Sequence, residues 1–358
     1  MHRNQITRFR LWNQQIAHVR YRTPGEVVAA LGAMQAQDYA GALWAIGMRL
    51  PDATQTDVER AIANRMIIRT WPMRGTLHFV AAADVRWLLE LLGARAAAGR
   101  AGRLRQLELD GATLARSKDV IARALEGGRQ RSRSAIFADL EAAGIATTGQ
   151  RGYHILGHWA QHGLICFGVH EDKQPTFVLL EEWAPQARSL ARDEALAELA
   201  ARYFTSHGPA TLQDFVAWSG LTLTDARAGI SLAAQLIQEE SGGVVYWMAQ
   251  TLPAPSPAPS EVYLLPGFDE YMLGYRDRSA ALDPQHASKV TPGSNGVFQP
   301  TVVIDGQVAG VWKRTLKKAS VRIDVAPFAP WGDDTAAGIA AAAARYGRFI
   351  GQPVSLQA

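Results

Sequence analysis

Two glutamines stand one residue apart in Met34-Gln35-Ala36-Gln37-Asp38-Tyr39. A glutamine amide offers a carbonyl acceptor and an NH2 donor, and it does not titrate. A pair of them can hold a water in line with a sugar C1′ and set partial negative charge beside an oxocarbenium ion. It cannot serve as a strong general base or protonate a departing group. That limitation suits a leaving group that is already cationic, such as a purine alkylated at N7 or N3. Orienting the nucleophile and stabilising charge then suffice. The plainer alternative is that both amides cap a helix end or face water, and the residues alone favour it.

A second polar run is Arg69-Thr70-Trp71-Pro72-Met73-Arg74-Gly75-Thr76-Leu77-His78. As scaffold it is a hairpin with a core tryptophan and solvated arginines. As a site it offers Arg74 to a phosphate and His78 as a donor to phosphate or sugar; for His78 the two stand level. His154, His158 and His162 form an i, i+4, i+8 row. Its ends lie about 12 Å apart along a helix, too far for one ion. The row is expected to pack or to face a groove, with Arg151, Tyr153 and His154 near phosphate and no metal bound. Asp269 and Glu270 are adjacent acids without a metal-binding spacing, so pairing an arginine and capping a turn is their expected role. Arg276, Arg278 and Lys289, with Gly293, Ser294, Asn295 and Gly296, are expected to make a basic, flexible loop able to press into a DNA groove. Phosphate-loop, dinucleotide and Gly-x-Ser-x-Gly signatures are absent.

These residues sit in a repeated grammar of three helices followed by a strand or strand pair. In the first run a helix opens at Thr23-Pro24 and carries Val27, Val28, Leu31 and Met34 inward. The glutamine pair is expected at its C-terminal end, where Asp38 would point about 100° away from its neighbour. Further helices follow over 41–48 and 58–65, then strands at Ile67-Ile68 and Thr76 to Val80 around an Arg74-Gly75 turn. The second run has helices from Ser117 to Leu125, from Ser134 to a stop at Gly144, and over 149–162, then a hairpin of Leu164 to Phe167 and Phe177 to Leu180. The third has helices over 194–204, 211–218 and 224–232 and a strand at Val244 to Trp247. Helix-turn-helix with a β wing is a common DNA-docking unit, and three in series support one another's register. A Pro-rich linker spans Leu252 to Ser260. Beyond it come strands at Val262 to Leu265, Thr301 to Ile304, Gln307 to Trp312 and Ala319 to Val325, with an Asp305-Gly306 hairpin turn. A helix over 335–349 closes the chain. The predicted class is α+β: tandem winged-helix modules with a C-terminal β-rich domain closed by a helix. The expected divisions are 1–116, 117–186, 187–250, a linker over 251–261, and 262–358.

The chain has 358 residues, 48% hydrophobic and 20% charged, with a net charge of +4. That describes a globular protein too long for one ordinary core. Of 37 basic residues only six are lysine, so arginine dominates. Arginine suits phosphate through its two-pronged donor set, although a GC-rich genome explains much of the bias. Cys166 is the single cysteine, which excludes intrachain disulfides and Cys-rich zinc and fits a reducing cytoplasm. Neither a signal peptide nor a membrane span is expected.

The Gln-Ala-Gln motif and the Arg69–His78 run together resemble the bacterial AlkZ-like winged-helix DNA glycosylases, whose catalytic motif is Gln-apolar-Gln. Leu265 to Arg278, and Asp305-Gly306 through Gly310, Trp312 and Lys313, also resemble that family. The resemblance covers about 23–331. It implies a monofunctional DNA glycosylase acting on N7- or N3-alkylated purines in double-stranded DNA, including bulky adducts or interstrand crosslinks, as a monomer without metal or organic cofactor. It maps catalysis onto Gln35 and Gln37, with Asp38 and His78 as candidates for support. DNA contacts would fall on Arg69, Trp71, Arg74, Arg151, Tyr153, His154, Arg276, Arg278, Lys289 and Lys313. The related YcaQ proteins carry Gln-apolar-Asp, from which this chain departs at Gln37. The alternative is a non-catalytic winged-helix DNA-binding protein or transcriptional regulator, for which no separate dimerisation helix or ligand pocket is visible.

Overall fold

Thr23 starts a helix for local reasons. Its hydroxyl accepts from the Glu26 N–H, the Glu26 carboxylate returns the bond to the Thr23 N–H, and Pro24 fills the first turn. The helix Pro24–Leu31 ends at Gly32, whose φ of 78° is easy only for glycine. Met34–Gln35 then run extended, and the helix Tyr39–Gly47 begins after Asp38. The glutamine pair therefore lies in the turn between two helices, not on the end of one. Gly32 stops the first helix, and Met34–Gln35 continue as extended chain.

The computed structural model describes residues 1–172, 174–250, 261–294 and 296–357. The expected linker at Leu252 to Ser260, and Asn295, lie outside the described residues. Two compact units emerge: Met1–Glu59 with Leu196–Ala358, and Arg60–Ala195. This division falls inside the first expected run, within its third helix, Gln55–Ala63.

In the first unit, the helix Leu212–Ser219 has a reciprocal Thr211/Asp214 cap. The helix Leu223–Leu232 and the hairpin Leu236–Ser241/Val244–Ala249 follow. The first strand of that hairpin was not expected, because Gln238, Glu239 and Glu240 are polar and exposed. The C-terminal sheet runs in the order Val354–Gln357, Val321–Pro327, Gln307–Leu316, Thr301–Ile304, Val262–Leu265. It is antiparallel except for its last, parallel edge pair Val321–Pro327/Val354–Gln357. Asp305 and Gly306 have the positive φ values, 49° and 81°, of a two-residue hairpin turn. Trp44 and Trp312 donate their indole N–H groups to Leu264 O and Leu265 O at 2.8 and 2.7 Å. The Trp44 bond ties the helix that follows the glutamines to this sheet, while the Trp312 bond lies within the sheet itself.

The second unit pairs its strands in the order Thr76–Ala81, Ile67–Met73, Ile165–Glu171, Gln174–Leu179, Arg131–Ser132. Helices Gly111–Leu125, Arg133–Ala142 and Arg151–Gln161 pack around a core that includes Ile121, Leu125, Ile136, Leu140 and Ile155. Asp110, not Ser117, caps the first of these helices. Ser117 is buried inside it and accepts from Trp159 Nε1 at 2.8 Å. Likewise Ser132, two residues before Ser134, caps the second.

Two members of the histidine row pack on each other. His158 stacks against His162, ring centres 4.1 Å apart, and sits edge-on to Trp159. Burial, and then His162, hold the His158 imidazole down at about 4. The unfolded chain takes up that proton near 6.5, so His158 favours folding fully above about 6.5 and loses that contribution as pH falls toward 4. Melting temperature should accordingly drop more steeply over that window in the wild type than in His158→Gln; parallel curves for the two would contradict the assignment.

Candidate active site

Burial alternates through the motif: Gln35 is half-buried, Ala36 buried and Gln37 exposed. Ala36 anchors the turn between the half-buried Gln35, at the end of the extended pair, and the exposed Gln37 in the bend that follows. The Gln35 N–H donates to Glu270 Oε1 at 3.0 Å. Among the described residues its side-chain carbonyl oxygen has no hydrogen-bond partner and is closed off from solvent. A buried acceptor left in that state costs roughly 1–3 kcal/mol, a local expense more readily tolerated at a working site than in a scaffold. Gln37 is the more exposed of the two amides.

Asp38 precedes the helix Tyr39–Gly47 but makes no side-chain cap. Its Oδ2 lies 3.5 Å from Arg314 Nη2, and Arg314 also donates to the Tyr346 hydroxyl at 3.1 Å. A Cβ at Gly41 would stand 2.4 Å from that Oδ2, so glycine leaves the carboxylate its place. The expected 100° separation from Gln37 does not apply, because no helix holds them. The pair with Arg314 is solvent-exposed and so contributes little to stability; it fixes direction.

Behind the turn lies a buried polar cluster whose connection to Gln35 the sequence did not reveal. Glu270 Oε2 accepts from Trp218 Nε1 at 2.9 Å and lies 3.5 Å from His207 Nε2. Next to it, Asp269 takes a two-pronged pair from Arg49, both contacts 2.9 Å and both side chains fully buried. Arg49 further donates to Gln14 O, Ala45 O and Gln14 Oε1 at 2.8, 2.7 and 3.3 Å. Asp269 also accepts from Tyr271 N, capping the helix Glu270–Leu273. Arginine pairing and turn capping thus describe Asp269, while Glu270 reaches the glutamine turn. Only the adjacency of the two acids hinted at this; the partners lie 235 residues apart.

The Arg69–His78 run belongs to the second unit. Arg74 and Gly75 form the expected turn, with φ of 52° and 73°. Arg74 is exposed at its tip. His78 is buried; its Nδ1 meets Thr76 O at 3.0 Å and its Nε2 meets Arg74 Nη2 at 3.2 Å. Since arginine can only donate, Nε2 accepts and Nδ1–H donates to the carbonyl. The neutral ring is therefore occupied within its own hairpin, which counts against His78 as a donor to phosphate. Arg69 and Trp71 lie further back in the hairpin. Arg69 is 8% exposed and lies over the Phe167 ring at 4.9 Å, and Trp71 packs on the same ring at 5.0 Å. Their strand sits inside a sheet, and Trp71 is only partly buried.

Arg151 is similarly engaged, donating to Ala146 O at 3.0 Å and to Leu107 O. Tyr153 is 53% exposed, with Arg133 over its ring at 4.7 Å. His154 is partly buried, and burial followed by Arg100 and Arg103 lowers its proton affinity. Arg276 is exposed while its backbone N–H is held by Asp214 at 2.8 Å. Arg278 folds inward, donating to Met272 O at 2.7 Å and covering Phe298 at 4.8 Å. Lys289 is exposed on a short helix, Ala287–Val290, and Lys313 is exposed on the strand Gln307–Leu316. That strand outruns its expected end at Trp312. Its hairpin tip carries Leu316, 62% exposed, beside exposed Lys317 and Lys318. The signal was present in the sequence, since half of the six lysines fall between 313 and 318.

Among the described residues no group of three or more His, Cys, Asp or Glu side chains could hold a metal ion, and no helix is long and apolar enough to cross a membrane. A family model described as DNA glycosylase AlkZ-like matches residues 28–349. An interstrand DNA cross-link repair glycosylase of Streptomyces sahachiroi is 27% identical over 325 residues, covering 84% of this chain and 86% of that protein. In the solved structures, Streptomyces sahachiroi DNA glycosylase AlkZ matches the fold with a TM-score of 0.82 at 22% identity, covering 99% of both chains.

Proposed function

The chain belongs to the AlkZ-like family of DNA glycosylases, and on that premise we propose that it hydrolyses the N-glycosidic bond of purines made cationic by alkylation at N7 or N3. The observation that carries the proposal is the turn itself: Gln35 tethered through its backbone, Ala36 buried, Gln37 presented outward. Such a turn can hold an amide still while leaving it unable to titrate. Gln37 orients the attacking water through its carbonyl oxygen, and Gln35 places a second amide dipole beside the positive charge at C1′. As the C1′–N bond breaks, its electron pair neutralises the charged purine, so no protein acid is required. Water's oxygen bonds to C1′, its proton passes to solvent, and the products are a free base and an abasic site. Asp38, held by Arg314, adds a negative charge at the edge of the site.

We read the helix–helix–helix–hairpin runs as winged-helix units. Docking on DNA is assigned to the exposed Arg74, Tyr153 with Arg133, Arg276, Lys289, Lys313 and the Lys317-Lys318 tip. The Streptomyces relative is called an interstrand DNA cross-link repair glycosylase. A guanine joined through N7 to a bulky adduct or a second strand is as cationic as 7-methylguanine, so the proposal extends to such lesions. Full extrusion of a base tied to another strand is difficult, and a turn open at Gln37 suits attack with the lesion in place.

A duplex carrying 7-methylguanine tests the proposal. Incubation with the full chain should release the free base and leave an abasic site, whereas a DNA-binding regulator would bind and release nothing. Affinity should also fall steeply with salt, because arginine displaces counterions from phosphate. Arg74→Ala and Arg276→Ala should each flatten the salt slope by about one unit, and a salt-independent wild type would remove the DNA-facing surface.

A further inference from the structure

We propose that Glu270 is a positioning residue for the glycosylase reaction, acting through the backbone of Gln35. The inference rests on the catalytic assignment of the glutamine turn and goes beyond it to what holds that turn. Glu270 is 1% exposed. Its two carboxylate oxygens are divided between two donors on different elements: Oε1 takes the Gln35 N–H at 3.0 Å and Oε2 takes the Trp218 indole N–H at 2.9 Å. Trp218 is itself fixed. It is 1% exposed, packs against Tyr203 and His207, and its ring edge would lie 3.6 Å from a Cβ at Gly32, where the preceding helix ends. Glu270 stands beside Asp269, whose pair with Arg49 immobilises the start of the helix Glu270–Leu273. The carboxylate is thus a rigid bridge from the C-terminal module and the helix Leu212–Ser219 to one backbone amide of the catalytic turn.

The division of labour between the two oxygens makes the residue type specific. A carboxylate accepts at both oxygens, whereas an amide accepts at one and donates at the other. Glu270→Gln therefore keeps size and shape but must face either Gln35 N–H or Trp218 Nε1–H with an NH2 group. The turn would shift while the fold around it changes little. An error of about 1 Å in a catalytic group can cost on the order of a hundredfold in rate.

The test is single-turnover release of 7-methylguanine from duplex DNA by the full chain, with affinity measured separately. Glu270→Gln is expected to slow release by about 10- to 100-fold with affinity for the duplex unchanged. The double variant Glu270→Gln/Gln35→Ala should be slower than Gln35→Ala alone, through the displaced Gln37, but by less than the product of the two single effects, because part of the Glu270 effect runs through the Gln35 side chain. A wild-type rate in Glu270→Gln, or a double variant slower by the product of the two effects, would overturn the inference and leave the catalytic glutamines standing. Wild-type rates in Gln35→Ala and Gln37→Ala would instead remove the catalytic assignment, and the inference with it. If Glu270→Gln does not fold, the wild-type protein still decides. Its Gln35 amide proton should exchange slowly and resonate far downfield, as a donor to a carboxylate; exchange at the rate of an open loop overturns the tether.

Discussion

Gln37→Ala is expected to slow single-turnover base release by roughly one to three orders of magnitude, the range for losing the group that positions a nucleophile. Gln35→Ala should fall in the same range. Gln37 is exposed and Ala36 supplies the turn's apolar anchor, so stability and DNA affinity should stay close to wild type. A loss confined to rate marks an interaction made only in the transition state. If both variants release base at the wild-type rate, the chemistry lies elsewhere. Gln37→Asp is the informative companion, since it restores the Gln-apolar-Asp pattern of the YcaQ proteins and should retain more activity than alanine.

Asp269→Ala and Arg49→Ala are expected to be the most destabilising single changes around the site, at about 3–5 kcal/mol each. Either leaves a charge buried without its partner. Both side chains are at 0% exposure, and besides the two Asp269 oxygens Arg49 donates to three acceptors, Gln14 O, Gln14 Oε1 and Ala45 O. Replacing one member therefore strands several polar groups at once. Urea unfolding of the full chain measures the cost. A loss below about 1 kcal/mol would mean that water enters the cluster and that it is not the rigid base described for Glu270.

Local chemistry explains what could be read from the sequence. Thr23-Pro24, Arg74-Gly75 and Asp305-Gly306 announce a helix start and two hairpin turns by side-chain and backbone preferences that act within four residues. The glutamine turn was misplaced onto a helix because Met34 continues the apolar spacing of Val27, Val28 and Leu31. Gly32, with its positive φ, was the available stop signal. A core place for Trp71 was one of the two readings, whereas Arg69 read as solvated or DNA-facing, because an arginine over an aromatic ring inside a sheet leaves no pattern in the chain. Glu270 reaching Gln35, and Asp269 reaching Arg49 across 220 residues, depend on how distant segments pack. No periodicity encodes that. The polar strand Leu236–Ser241 was lost for the opposite reason: its alternation is weak because both faces carry polar groups.

Matched duplexes carrying 7-methylguanine or uracil test the central claim most directly, with single-turnover excision followed between about pH 6 and 8. Neutral glutamines cannot protonate a departing base, so 7-methylguanine should be released and uracil left in place. The rate should be nearly flat with pH, because general acid or base catalysis would follow a pKa and amides have none. Efficient uracil release, or a steep profile that disappears in Asp38→Asn or His78→Ala, would show that a titrating side chain carries the reaction and that the glutamine turn does not.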